Sequence, residues 1–438
     1  MARSAHLFLL AAVLFVAAVP PLAAQAPDPP ADRPETAGAG PQQPEPGSGG
    51  DRLVRLVFPD RPSLRVGSVL RLDFRLRLQG DVRDFPPGEA DEDGRFEMTR
   101  RRFGIQGTLL RHFEYELERE FRRRNAWRDN FVNFSYFDDF QIQAGKFKVP
   151  FSLERLTGST DLDFVHRANV VDTLSPARDI GMTLHGRFRR RAIGYDVGVF
   201  RNDGENARFD FNPGAGRTFA ARFAARPLRL TSLSGATSEM EVAIAATTAE
   251  VPDGLNSLRG RTMFGQTFFN PVYVSGQRVR LGLDLDWRPG PFSVKGEFIR
   301  VSDERRNQGL FDEDLPPVIA RGWYLSGTWA LTGESKFSGG LEPRRPLFRG
   351  GAGAIELAAR YERLGFGSSF DEEPELTTPR AANLLEAVDR AWTLGLNWYV
   401  NHWTKLQLNA IREAIHEGRS PDPRGVFWTR VLRLQFVM

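Results

Sequence analysis

Residues 69–81, "VLRLDFRLRLQGD", alternate without a break. Leu70, Leu72, Phe74, Leu76 and Leu78 fall on one side of an extended chain, and Arg71, Asp73, Arg75, Arg77 and Gln79 on the other. A period of two belongs to a strand whose two faces meet different surroundings. Half-buried strands of water-soluble proteins rarely set so unmixed an apolar row against so many guanidinium groups. The pattern recurs. "VRLGLDLDW" opposes Val279, Leu281, Leu283, Leu285 and Trp287 to Arg280, Gly282, Asp284 and Asp286. "WTLGLNWY" opposes Trp392, Leu394, Leu396 and Trp398 to Thr393, Gly395, Asn397 and Tyr399. "FEYELEREF" opposes Phe113, Tyr115, Leu117 and Phe121 to Glu114, Glu116, Glu118 and Glu120, with Arg119 interrupting the apolar row. The one short helical candidate is "ANLLEAVDRA", near Ala382.

Reading every alternating run yields about sixteen strands. They fall at 68–79, 96–109, 113–122, 129–137, 140–148, 179–188, 192–201, 217–226, 239–248, 278–287, 291–301, 321–331, 353–363, 390–400, 404–413 and 427–437. Connections after even-numbered strands are mostly short, as at 110–112, 138–139, 189–191, 288–291 and 401–402. Those after odd-numbered strands are mostly long: 80–95, 149–178, 202–216, 249–277, 302–320, 364–389 and 414–426. Two gaps break the rule, a short one at 123–128 and a longer one at 332–352. A soluble sandwich has no reason to sort its loops by parity. An all-β transmembrane antiparallel β-barrel does, with short periplasmic turns and long external loops. An even strand count also returns both ends of the barrel to the periplasmic side. Trp287, Trp323, Trp392, Trp398, Trp403 and Trp428 sit near the expected strand ends, where interfacial girdles lie. The last strand puts Leu432, Leu434, Phe436 and Met438 on one face.

The chain of 438 residues opens as an exported one. Arg3 and the apolar run at 7–19 precede small residues that suit cleavage after Ala24, so 1–24 is expected to be a signal peptide. The run is short for a spanning helix. Residues 25–60, rich in Pro and Gly, are expected to form a periplasmic linker, and 61–438 the barrel. With 59 basic against 55 acidic residues, the charge of +4 lacks the basic excess of a general nucleic-acid binder. There is no cysteine, and the lysines are Lys146, Lys148, Lys295, Lys336 and Lys405. Nearly every cation is therefore a guanidinium. Genome composition and planar recognition of phosphate or carboxylate both remain open as the reason.

Several pieces, in order, are similar to the phosphate-selective porin O and P family: "RRRFGIQGTLLRHFEYELE" (100–118), "QAGKFKVPFSLE" (143–154), "YDVGVFRNDG" (195–204), "GPFSVKGEFIR" (290–300), "GWYLSGTWALTGE" (322–334), "IELAARYERL" (355–364) and "WTLGLNWYVNHWTKLQLN" (392–409). The resemblance runs from about Leu70 to the C-terminus. It implies a sixteen-stranded barrel in the outer membrane of a Gram-negative-type bacterium, usually a homotrimer. It also implies an inward-folded third loop and an arginine-rich lumen that passes anions. The partners implied are phosphate or other small anions, outer-membrane lipid and lipopolysaccharide, with no cofactor and no nucleic acid.

In a barrel the apolar row of the first strand faces lipid, since a charge there costs about 2–4 kcal/mol at the midplane. Arg71, Arg75 and Arg77 then face the lumen. On the second strand Phe103, Ile105 and Leu109 set the lipid face, so Arg100 and Arg102 point inward and Arg101 outward, near the external rim. A hairpin around 110–112 puts Arg102 opposite Glu120. Asp284, Asp286, Glu297, Glu356 and Glu362 point inward as well, giving a zwitterionic lumen. The connection at 149–178 is the candidate constriction loop, since loops this long are usually functional. Arg155 and Arg167 are its expected inward cations, Arg178 lies at its exit, and Glu154, Asp161 and Asp163 are expected to hold it to the wall. Strict alternation puts Lys146 and Lys148 on the lipid side; only a bulge or a rim position brings them to the pore. The expected function is a passive channel for small hydrophilic anions, phosphate or polyphosphate foremost. The alternatives are a general porin and, in another class, a barrel enzyme or a soluble secreted β protein. No G-x-S-x-G, H-E-x-x-H or P-loop occurs. The six histidines are scattered, and "ADEDG" at 90–94 is expected to be a solvated acidic loop.

Overall fold

The computed structural model describes residues 54–58, 61–84, 96–121, 127–204, 216–230, 238–368, 384–417, 420 and 422–438. The strands are β1 (Val54–Val57), β2 (Ser63–Val66), β3 (Leu70–Asp84), β4 (Phe96–Leu109), β5 (Phe113–Glu120), β6 (Trp127–Phe134), β7 (Gln141–Lys148), β8 (Arg178–Phe188), β9 (Ile193–Phe200), β10 (Thr218–Ala225), β11 (Ser238–Gly254), β12 (Gly260–Arg261), β13 (Thr267–Phe269), β14 (Val274–Pro289), β15 (Phe292–Arg305), β16 (Leu315–Ala330), β17 (Ala354–Ser368), β18 (Ala387–Tyr399), β19 (Thr404–Glu417) and β20 (Gly425–Val437). Among the described residues three short α-helices accompany them, α1 (Leu153–Leu156), α2 (Asn169–Leu174) and α3 (Pro227–Leu230), with one 3-10 helix at Leu347–Arg349.

Strands β3–β11 and β14–β20 form a closed antiparallel barrel of sixteen. Closure is made by β20 on β3, from Arg430↔Asp84 to Val437↔Arg77. It ends with Leu76 and Met438 exchanging backbone bonds of 2.8 and 2.9 Å. All sixteen expected strands are present, and several run on past their expected long-loop ends. β11 extends to Gly254 and β17 to Ser368. Pairing outlasts alternation there because the ladder continues beyond the lipid, where neither face has to be apolar. Trp323 and Trp392 therefore lie within strands rather than at their ends.

β20 leaves the first residues of β3 with an open edge, and an open edge seeks a partner. β2 fills it, from Ser63↔Asp73 to Val66↔Leu70, and β1 pairs with β2 in turn. Val54–Val57, expected within the linker, is thus strand. Residues 1–53 and 90–94 lie outside the described residues, as does most of the gap at 123–128. The expected helix near Ala382 is corrected: its first residues are outside the description, 384–386 have no regular structure, and Ala387 onward is β18. The alternating apolar and polar side chains of "AVDRAWTLGLNWY" belong to a strand, and they override the short helical pattern.

The faces sort as the alternation requires. Asp73, Arg75, Arg77, Gln79 and Asp81 are buried inside the barrel, whereas outward Leu281, Leu283, Leu394 and Leu434 are each about half exposed. So many exposed large apolar side chains form a band suited to hydrocarbon. No helix among the described residues is long and apolar enough to cross a membrane. Arg119 is outward and exposed, its guanidinium 5.8 Å from the Phe121 ring and 5.6 Å from Trp127. The charge that interrupts the apolar row thus rests on aromatic faces.

Part of the lumen is a hydrophobic core. Val170, Val171 and Leu174 of α2 and Phe151 pack with Leu258, Phe268 and Phe269 of the 255–273 connection. All of these meet the inward side chains Ile299, Val301, Val318, Ala320, Leu364 and Phe366. Two of the long connections, 149–177 and 255–273, therefore pack against each other inside the barrel.

Candidate functional site

The 149–177 loop lies inside the barrel, and its course is set by hydrogen bonds from the wall. A chain buried this way must satisfy its carbonyls, and a row of polar side chains does so. Gln435 donates to Thr160 O (3.0 Å), Lys405 to Thr160 O (2.9 Å) and Leu162 O (3.1 Å), and Asn397 to Asp163 O (2.8 Å). Arg433 donates to Val165 O (2.7 Å), Arg360 to His166 O (3.1 Å) and Arg280 to Leu174 O (2.9 Å). The Val165 amide donates to Asn409 Oδ1 (2.8 Å). At the loop's tip Asp163 is gripped from two sides, by Lys295 Nζ at 3.0 Å and Lys336 Nζ at 2.6 Å.

Four of the five lysines thus hold the loop. Lys148 is the fourth, donating to Leu156 O (2.7 Å) and Thr157 O (3.0 Å). A compact ammonium with three donors suits converging oxygens. Lys336 comes from 331–353, the connection whose length broke the parity rule. That turn enters the barrel from the short-turn end and supplies half of the grip on Asp163. The extra length was the sequence signal of this role; the amide side chains of the wall carried none, because their alternation reads only as "inward". The lysine expectation divides. Lys146 pairs across to Asn130 and Ile180, both exposed on the outer face, as alternation requires. Lys148 reaches the loop as the last residue of β7, beyond Gly145, whose φ is +134°, and beyond the final pair with β6 at Lys146.

The expected cations fall into two groups. Those of the first wall are paired. Arg71 meets Asp73 at 2.7 Å, Arg75 meets Glu116, and Arg77 meets Glu118 at 3.1 Å. Arg102 reaches Glu118 at 3.2 Å and Glu120 at 2.7 Å, and the register sets Arg102 opposite Glu120 as the hairpin predicts. Arg75, Arg77 and Arg102 are buried. Glu116, Glu118 and Glu120 of the glutamate column are thus paired with arginines of the two preceding strands, while Glu114 accepts from Asn133 at 3.1 Å. Further pairs repeat the pattern: Arg433 grips Asp81 with two bonds of 2.6 and 2.7 Å, and Arg178 grips Asp129 at 3.0 and 2.6 Å.

The second group lies against the loop. Arg167 donates to Glu154 O (2.9 Å) and Thr157 O (2.8 Å), and Arg100 to the side-chain oxygen of Gln79. Arg155 donates to Val171 O at 2.8 Å and meets Asp172 at 2.8 Å. Arg100, Arg167 and Lys148 donate only to uncharged oxygens among the described residues, and all three keep accessible surface. Arg100 and Arg167 lie within electrostatic reach of each other, as do Arg167 and Lys148. Burial, then Arg155, pulls Arg167 down to about 10, which leaves it charged at neutral pH. Burial, then Arg433, pushes His166 down to about 3, so its imidazole is neutral. Burial raises the Asp163 carboxyl, but Lys295 and Lys336 outweigh burial and hold it below the usual carboxylate range. Glu154 is raised by burial against the pull of Arg360; it accepts the Ala168 amide at 2.8 Å and so ties the loop to itself as well as to the wall.

The comparisons with known proteins agree with this geometry. Residues 72–437 match the family described as Phosphate-selective porin O and P. Porin O of Pseudomonas aeruginosa is 26% identical over 183 residues, which is 40% of this chain and 39% of that relative's length. A loop-deletion form of OmpT, an outer membrane protein of Vibrio cholerae, superposes with a TM-score of 0.53 at 10% identity. It covers 84% of this chain and 99% of that one. The outer membrane channel DcaP of Acinetobacter baumannii gives 0.52 at 9% identity, over 84% and 97%. At such identities these two structures speak for the fold alone. The family match, which takes in nearly the whole barrel, goes further: this chain belongs to the phosphate-selective porin O and P family.

Proposed function

We propose that the channel passes small hydrophilic anions, phosphate or polyphosphate foremost, by stepwise electrostatic transfer along lumen arginines. The path runs past Arg71, Arg75, Arg77, Arg100, Arg102, Arg155 and Arg167. The observation that carries this proposal is that Arg100, Arg167 and Lys148, beside the inward loop, donate to no carboxylate among the described residues and keep accessible surface. Guanidinium stays charged at any working pH and takes phosphate in a two-pronged fork. Several weak sites in series let an anion enter and still leave. Arg71, Arg75, Arg77 and Arg102 contribute through the field of their ion-pair ladder, and the carboxylates beside them keep binding weak.

The same ladder supports the alternative, a porin for small hydrophilic solutes with little preference for phosphate. In either case transport needs no covalent step and no energy source, so the proposed activity is not enzymatic. By family resemblance we further propose export through a signal peptide cleaved after Ala24, assembly as a homotrimer, and contact with outer-membrane lipid and lipopolysaccharide. Reversal potential in a planar bilayer under a KCl gradient, repeated with added phosphate, tests the anion pathway. Anion selectivity with block by phosphate is expected. A cation-selective potential with no phosphate block refutes it.

A further inference from the structure

The outer wall carries arginines that the channel does not use. Arg300 on β15, Arg321 on β16, Arg363 on β17, Arg390 on β18 and Arg412 on β19 all point away from the lumen. Arg300, Arg321 and Arg390 are exposed and the other two half-buried. Arg363 meets Glu386 at 3.6 Å. The other four make no ion pair with a described residue. Two couples face each other directly across the ladder, Arg300↔Arg321 and Arg363↔Arg390. Like charges so placed repel and destabilise a sheet, so the arrangement calls for an anion between them.

These side chains share one height. The hydrogen-bonded row from Phe292, at the start of β15, passes through Trp329, Leu357, Leu396 and Leu408 to Leu432. Phe292 is at the short-turn end of β15, yet Leu432 is five residues short of the end of β20 at Val437, five strands on. Rows therefore climb by about one residue per strand, as the tilt of a barrel requires. The arginines shift against the rows by the same amount: Arg321 faces Gly365, two residues beyond Arg363, and Arg390 faces Ala414, two beyond Arg412. They form a level belt toward the long-loop end. Directly beneath run Trp323, Tyr361 and Trp392, ring centroids 5.4 and 4.6 Å apart. Each lies two residues along its strand from Arg321, Arg363 or Arg390. Below them come Leu325, Ala359 and Leu394. An apolar band, an aromatic row and a cationic belt, in that order, match hydrocarbon, interface and headgroup.

We propose that this face of β15–β19 binds phosphorylated lipid headgroups of the external leaflet, with paired arginines sharing a phosphate. The inference rests on the barrel's span of the outer membrane and is independent of what passes through the lumen. The test uses the full chain in detergent, with bisphosphorylated lipid A, its dephosphorylated form and inorganic pyrophosphate as probes, and native mass spectrometry to count bound lipid. Wild type should retain lipid A over the dephosphorylated form, and pyrophosphate at equal concentration should not displace it. Substituting Arg321→Gln, Arg363→Gln, Arg390→Gln and Arg412→Gln together should weaken retention about tenfold or more, with conductance and ion selectivity unchanged. The four Lys replacements, which keep the charge, should retain most of the binding. If the fourfold Gln variant does not fold, Arg321→Gln with Arg390→Gln, one from each couple, should still show the loss. Equal retention by wild type and Gln variant, or of phosphorylated and dephosphorylated lipid, overturns the proposal. So does displacement by pyrophosphate. A changed oligomeric state with lipid binding preserved would likewise overturn it, assigning the belt to a contact between copies.

Discussion

Asp163 latches the tip of the inward loop to two lysines, and Asp163→Asn tests that latch. The carboxylate is buried, 3.0 Å from Lys295 Nζ and 2.6 Å from Lys336 Nζ. Lys336 keeps Glu356 and Thr328 after the substitution, so its loss is partial. Lys295 loses the one carboxylate it touches. Removing one partner of a buried pair costs about 3–5 kcal/mol, whereas replacing both by apolar groups is close to neutral. Asp163→Asn should therefore destabilise the barrel by about 3–5 kcal/mol, and Lys295→Met added to it should restore most of the loss. The loop stays seated, because Thr160, Leu162 and Val165 keep their wall bonds. The local release at the tip should then appear as added noise in single-channel current. The sign with pH follows from the depressed carboxyl. Its contribution is complete above the unfolded value near 3.9 and is lost only as pH falls toward the folded value. Hence the difference between wild type and Asp163→Asn should be constant from pH 7 to about 5. The assay is the temperature at which the barrel loses its heat-modifiable migration, beside bilayer recordings. Unchanged heat stability in Asp163→Asn, or no recovery in the double variant, refutes the latch.

Arg100→Gln with Arg167→Gln should lower the anion-to-cation permeability ratio with little loss of heat stability. Arg75→Gln should do the reverse in emphasis, destabilising by about 3–5 kcal/mol because it strands buried Glu116; reversal potentials and heat modifiability separate the two. At Gly107 a Cβ would meet Arg71 O at 1.8 Å, so Gly107→Ala should reduce the folded fraction after refolding into detergent, read by electrophoretic migration. His166 is held neutral at about 3 in the folded loop, so below about pH 6.5 the unfolded chain binds the extra proton and stability falls with falling pH. His166→Gln should flatten that slope in heat-stability measurements between pH 7 and 4.

Which way each side chain faces was legible in the alternation, because facing lipid or water is settled residue by residue. So were the sixteen staves, the parity of their connections and the inward places of Arg75, Arg77, Arg100 and Arg102. The pairing of Arg102 with Glu120 on the next strand was readable because one tight turn sets the register. Arg75 with Glu116 lies a strand further on, and Asp81 meets Arg433 only through closure of the first strand on the last. No local pattern carries those registers.

The sequence by itself determined a porin-like barrel with guanidinium groups on its inner face, because the hydrocarbon outside imposes a strict period of two. Only the tertiary structure decided which of those cations are neutralised, since pairing depends on contacts between strands far apart in the chain. It also decided that three connections enter the barrel, at 149–177, 255–273 and 331–353, and that four lysines join arginines and amide side chains in holding the first of them. A loop's length is the same whether it folds in or out; what draws these three inward is the polar wall that satisfies their backbone and the apolar surface that receives α2 and Phe268.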